Sequence, residues 1–361
     1  MEPEIKVALE HNRPYAVFPP NKFDELRNKY GDAVFKYSSN GKEYTIVNLF
    51  KLSFSAISTG ANGIEYLPVS LNLYRPKPVS YIVQGNELEV LHEILKSGNN
   101  ALIYGPKGVG KTLMVHYYAY KHEIPIYTLD CSEDMRRFDL IGRFTKIGDS
   151  IKFILGAIPK AIELANQAAD QGKPLIFLLE EINTLTPAAQ KILNPLLDWR
   201  RKIEAEEINK VFELRDDARL YIVATMNPSY YSGVYGLNED LKSRFLEIFM
   251  GYPPEDVEKA IIVSQTGIEE DNIYLNGLIR LAAETRGAYE RLELSYCLSP
   301  RDLVSLVKFY ISYRQSQRGS GKRERTIFAE VLKTVLLSRF DKEDERKFIK
   351  SRVDAIFDIL L

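Results

Sequence analysis

Two short stretches hold residues whose types and order could do chemistry. The first is GPKGVGKT, Gly105 to Thr112, which follows the apolar run ALIY and opens a helical pattern. Its spacing is G-x-x-x-x-G-K-S/T. Gly105, Gly108 and Gly110 let the backbone curl so that several N–H groups point inward at phosphate oxygens. Lys111 neutralises the β- and γ-phosphates, and the Thr112 hydroxyl ligates Mg²⁺. The start of the following helix adds its positive end. The whole run Gly105, Pro106, Lys107, Gly108, Val109, Gly110, Lys111, Thr112 and Leu113 is the expected contact surface for a nucleotide. The second stretch is LIFLLEEIN, Leu175 to Asn183, where five apolar residues run into two adjacent carboxylates, Glu180 and Glu181. A buried strand ends in two charges only where something compensates them. A triphosphate site does so. One carboxylate at a neighbouring strand tip holds the Mg²⁺ shell, and another polarises the attacking water. Glu180 is therefore expected beside Thr112 on the metal side, and Glu181 as the general base. ATP and Mg²⁺ are the expected ligands.

Behind these stretches come three more, and in that order the chain resembles the AAA+ ATPases from about residue 80 to residue 305. GPKGVGKT resembles Walker A and LIFLLEEIN resembles Walker B. ATMNP, Ala224 to Pro228, closes the run RLYIV and resembles sensor 1, with Asn227 as its polar residue. LNEDLKSRF resembles the segment of the arginine finger, which falls on Arg244, and LSPRDLV resembles sensor 2, which falls on Arg301. EEIN followed by LTPAAQKILNPLLDWR, with FDLIGRF…IKFILGAIPKAIELA (Phe138 to Ala165), is similar to the MoxR and McrB/dynein-related branch. In that branch a small β element is inserted at the second helix and faces the ring pore or the substrate.

The resemblance implies roles. Asn227 holds the attacking water or senses the γ-phosphate. Arg244 stabilises transition-state charge in a neighbouring subunit's site, and Arg301 reaches the γ-phosphate from the helical lid of its own chain. YIVQGNE, Tyr81 to Glu87, packs on adenine, with Ile82 and Val83 as the candidates. A homo-oligomer, a hexameric ring, follows, acting on a protein partner in the manner of MoxR-like chaperones. The alternative is a motor that translocates nucleic acid. One departure stands out: Walker B usually ends Asp-Glu, and here it ends Glu-Glu.

These residues need elements to position them. Residues 79 to 251 alternate apolar runs (ALIYG, IPIYTLD, PLIFLLE, RLYIVATMN, RFLEIFM) with helical stretches such as KTLMVHYYAYKHE and PAAQKILNPLLDWR. Near-continuous apolar strands separated by helices predict a parallel sheet covered on both faces. Residues 252 to 361 show helical periodicity throughout and predict an all-helical lid, with Ser299-Pro300 as a cap followed by proline at the first helical position. Residues 1 to 78 hold a helix-like NKFDELRNKY and a hairpin-like AVFKYSSNGKEYTIVNL with Asn40-Gly41 at its turn. The proline-bearing NLYRPKPVSY then reads as an extended linker. The expected fold is α/β: a P-loop core with a parallel five-stranded sheet between helices, a C-terminal all-helical lid, and a small N-terminal α+β domain.

Bulk composition narrows the partners. Lys and Arg number 48 against 49 Asp and Glu, so no net charge marks a polyanion binder. The most basic stretch, YRQSQRGSGKRERT, lacks interleaved aromatics and reads as a solvated loop between lid helices. Two distant cysteines, Cys131 and Cys297, exclude a disulfide framework and suit a reducing compartment. His116 and His122 are read as structural. The first residues, MEPEIKVALEHNRP, lack the basic-then-apolar order of a signal peptide, and no uncharged run approaches the ~20 residues that span a bilayer. A cytoplasmic protein is expected.

Overall fold

A computed structural model describes residues 15–30, 34–39, 42–48, 58–59, 65–66, 69–147, 150–228, 236–319 and 321–361. At the N-terminal end, β1 (Tyr15–Phe18), α1 (Phe23–Tyr30), β2 (Val34–Ser39) and β3 (Lys42–Asn48) give an antiparallel sheet in the order β1-β3-β2. Ser39 pairs with Lys42, the register that a two-residue connection imposes. The turn residues Asn40 and Gly41 lie outside the described residues, as do residues 1–14. Strand β1 is not anticipated by the sequence reading, because four residues are too few to display an alternation. Two short strands follow, β4 (Ser58–Thr59) and β5 (Glu65–Tyr66).

The core begins with α2 (Glu87–Lys96), β6 (Asn100–Tyr104), α3 (Lys111–Lys121), β7 (Ile126–Asp130) and a short α4 (Arg137–Leu140). The hairpin β8 (Gly142–Ile147) and β9 (Ser150–Leu155) stands before α5 (Ala157–Ala169), where an inserted β element is expected. Strands β4 and β5 extend this hairpin, in the order β4-β5-β9-β8. Then come β10 (Leu175–Glu180), α6 (Pro187–Leu197), the strands β11 (Lys202–Ala205) and β12 (Lys210–Glu213), β13 (Leu220–Met226), α7 (Glu239–Lys242) and β14 (Phe245–Phe249). The five apolar runs become one parallel sheet, ordered β14-β6-β13-β10-β7. Successive side chains of a strand point to opposite faces. Phe177 and Leu179 therefore enter one core with α5 and α6, while Ile176 and Leu178 enter the other with α2 and α3. The antiparallel pair β11–β12 is absent from the sequence reading, since charged residues alternate with its few buried ones, Ile203, Ala205 and Phe212.

Beyond β14 the described residues are helical: α8 (Glu255–Thr266), α9 (Leu275–Glu290), α10 (Pro300–Ser316), α11 (Glu324–Val331) and α12 (Glu343–Phe357). They close around a core of their own, with Leu278, Leu303, Val307 and Phe328 at its centre. The start of α10 is fixed by a reciprocal cap. Ser299 Oγ accepts from Asp302 N, and the Asp302 carboxylate accepts from Ser299 N at 2.9 Å. Inside the lid, the buried Arg286 forks onto Glu258 at 2.5 and 2.9 Å, with Tyr252 under its guanidinium. Among the described residues no helix is long and apolar enough to cross a membrane.

Candidate nucleotide site

The carboxyl ends of β6, β13 and β10 converge on a cleft of about 540 Å³ between sheet and lid. The loop after β6 begins at Gly105, whose N–H donates to Met226 O at 3.3 Å. A Cβ at Gly105 would fall 1.9 Å from Met250 O, and φ there is +155°, so glycine alone is accommodated. Gly110, at φ 102°, turns the chain into α3. This places Lys111 inside the loop, 8% exposed, with Nζ donating to Gly105 O and Pro106 O at 2.8 Å each and to Asn227 Oδ1 at 3.0 Å. Burial pushes the Lys111 ammonium down to about 8. The Glu181 carboxylate opposes that shift, while Arg301 and Lys107 reinforce it.

A consequence is measurable. Phosphate binding needs the ammonium, so the free protein must take up a proton to bind once the pH exceeds that value. Nucleotide affinity should be level below about pH 8 and fall by roughly tenfold per pH unit above it. Lys111→Arg, charged throughout, should flatten the profile. Titration of a fluorescent ATP analogue from pH 7 to 9.5 reads this directly.

The two carboxylates of Walker B part company at the strand end. Glu180 remains in β10, and its Oε2 accepts from Thr112 Oγ1 at 2.8 Å. Burial raises its carboxyl, the Thr112 bond opposes that, and neighbouring Asp130 and Glu181 add to it. The longer acid therefore reaches the hydroxyl of the phosphate loop without help. Glu181 leaves the strand in the left-handed region, φ 51°, unusual for a residue with a side chain. That backbone turn re-aims it. Its N–H donates to Thr225 Oγ1 at 3.1 Å, and its Oε1 accepts from Asn227 Nδ2 at 3.1 Å. Asn227, 3% exposed, thus bridges Lys111 and Glu181. The sequence reading passes over Asn183, although it ends the quoted LIFLLEEIN. It is 1% exposed, and its Nδ2 donates to the backbone carbonyl of Asn227 at 2.9 Å. Only the fold puts it there.

The lid closes the other side. A Cβ at Gly108, φ +77°, would meet Ser299 Oγ at 2.4 Å and Arg301 Cβ at 3.3 Å, so the first turn of α10 rests on the phosphate loop. Arg301 lines the cleft, as do Lys107, Gly108, Val109, Gly110, Thr112 and Leu113. Pro106 is buried behind the loop and contributes its carbonyl to Lys111. Ile82 lines the cleft, but Val83 does not. It is 45% exposed, and the extended backbone there turns Tyr81 and Gln84 inward instead. Gln84 Nε2 donates to Val109 O at 3.0 Å, and Tyr81 donates to Glu87 Oε1 at 2.8 Å. Arg244 is not in this cleft. Its guanidinium meets Asp240 at 3.0 Å and Asp198 at 3.5 Å.

Other residues singled out from the sequence resolve into structure. His122 stacks on His92 at 5.4 Å, and His92 is bonded to the Tyr118 hydroxyl at 2.9 Å. The basic stretch is neutralised within the lid, with Arg314 on Glu324, Lys322 on Glu330 and Arg325 on Asp358.

Residues 100–245 match the family model "AAA domain (dynein-related subfamily)". Protein CbbQ of Hydrogenophilus thermoluteolus is 28% identical over 197 residues, covering 55% of this chain and 69% of that protein. Protein NorQ of Paracoccus denitrificans is 28% identical over 207 residues, covering 57% and 72%. The denitrification regulatory protein NirQ of Pseudomonas aeruginosa is 28% identical over 190 residues, covering 53% and 69%.

Proposed function

From a chain that carries a dynein-related AAA domain and is a MoxR-like AAA+ ATP hydrolase, we propose a ring motor. In this reading ATP is hydrolysed with Mg²⁺ at the subunit interfaces of a hexamer, and the cycle remodels a protein partner. The observation that carries it is the polar chain Lys111–Asn227–Glu181 at the phosphate loop, with Arg244 outside the cleft of its own subunit.

The steps follow from the residues. The triphosphate takes the place of the loop carbonyls on Lys111 Nζ. Asn227 keeps its hold on Glu181 Oε1 while its other end follows Lys111, so nucleotide contact and base position are linked. Glu181 orients the attacking water and takes its proton. Arg301 meets the γ-phosphate from the lid, and loss of that phosphate releases α10 from the loop. Thr112 Oγ1 and Glu180 Oε2, hard oxygen donors 2.8 Å apart, fit Mg²⁺. When bound, the ion neutralises charge on the β- and γ-oxygens. Arg244 completes the site of the next subunit.

We assign residues 1–78 to a small N-terminal domain, 79–251 to the ATPase core and 252–361 to the lid. The partner is placed on the hairpin β8–β9, where Phe144 and Ile151 are exposed. Work in the cytoplasm suits the two free thiols, Cys131 and Cys297. The nucleic-acid motor draws no support from the basic stretch, whose charges are paired inside the lid.

A site shared between subunits gives a specific test. ATP turnover per chain should rise steeply with protein concentration until assembly is complete and then level off. Constant specific activity across a dilution series that dissociates the protein would overturn the shared site.

A further inference from the structure

We propose that Trp199 is the anchor by which one copy of the chain docks on the next, beside the neighbour's nucleotide cleft. The proposal rests on the ring reading and names the contact that reading leaves open.

Trp199 is the single tryptophan of the sequence and is 90% exposed. Tryptophan is highly buried on average, and a solvated indole is an unspent apolar surface. Its position is not casual. Two clamps fix the backbone on which it stands, and both also hold Arg244. The first is Asn100 at the start of β6, whose Nδ2 donates to Leu197 O at 2.9 Å and to Arg244 O at 2.8 Å. Arg201 closes this clamp from the far side, donating to Asn100 Oδ1 at 2.8 Å. The second is Asp198, which meets Arg200 at 2.6 Å and Arg244 at 3.5 Å. The end of α6 and the turn before β14 therefore form one rigid face with Trp199 and Arg244 on it. A side chain presented rigidly loses little entropy on docking, and Trp and Arg are the residues that dominate interfaces energetically.

Charge identifies the occupant as a second copy of this chain. The face carries Arg200 and Arg244 around the indole. The cleft carries Glu180 and Glu181, plus the triphosphate when loaded, and Arg244 does not line the cleft of its own chain. Cationic face and anionic cleft thus occupy different surfaces of one molecule, the head-to-tail complementarity that closes into a ring.

The lone tryptophan is its own reporter. The full-length chain with ATP and Mg²⁺ is followed by tryptophan emission and by sedimentation velocity over one concentration series. Emission should move to shorter wavelength at the concentration where assembly occurs. Trp199→Ala should raise that concentration more than about tenfold, with Trp199→Phe between the two. ATP binding by the dilute chain, together with its melting curve, should stay as in the parent. Assembly with unchanged emission, or Trp199→Ala assembling like the parent, overturns the anchor and leaves the ring standing. No assembly at any concentration overturns the ring and the anchor with it.

Discussion

Arg244→Ala should lower ATP turnover by about 10³–10⁵-fold, the range an arginine finger supplies, with nucleotide affinity of the dilute chain unchanged. The alternative is that Arg244 only holds its own subunit together through Asp240 and Asp198. Asp240 is 63% exposed, and ion pairs of that kind are worth at most about 1 kcal/mol. Loss of such a pair shifts the melting temperature slightly and leaves turnover nearly intact. A mixing experiment separates the two cases further. Chains carrying Arg244→Ala keep Glu181, and chains carrying Glu181→Gln keep Arg244. A mixed ring contains interfaces where an intact base meets an intact finger from the other chain, so part of the activity returns when two inactive proteins are combined. If Arg244 acted within its own subunit, no such interface would exist and the mixture would stay inactive.

Most of the scaffold was legible in the sequence because buried parallel strands announce themselves. Leu175 to Leu179 is fully buried on both faces, and its apolar run is unbroken for that reason. Strands β1, β11 and β12 were hidden by the opposite condition: each has only four residues, and β11 and β12 carry charge at alternate positions. At the site, the glycines, Lys111, Thr112 and the paired acids lie close together in sequence, and spacing alone brings them to the loop and strand tip. Asn183 and Tyr81 escaped notice because their roles are tertiary. Asn183 matters through the carbonyl of a residue 44 positions later, and Tyr81 through its hydroxyl on Glu87. The same holds for Trp199. Nothing in LLDWRR says that Asn100 and Asp198 tie it to Arg244.

Glu181→Gln should cut turnover by about 10²–10⁴-fold and leave ATP affinity at neutral pH near the parent value. Glutamine keeps an oxygen able to accept from Asn227 Nδ2, so the geometry around the water survives while the basic carboxylate is lost. With hydrolysis stopped, the ATP-loaded ring should persist in sedimentation experiments long after the parent has fallen apart. Undiminished turnover would remove Glu181 from the chemistry. A second readout guards against a purely structural explanation. The Glu181 carboxylate is the cause that raises the Lys111 ammonium against the burial that lowers it. Removing that charge lets burial act with less opposition, so Lys111 loses its proton at lower pH. The pH at which ATP affinity begins to fall should therefore lie below that of the parent in Glu181→Gln. In Glu181→Asp, which keeps the charge, it should lie closer to the parent. A variant that merely loosened the fold would lower affinity at every pH and leave that midpoint where it was.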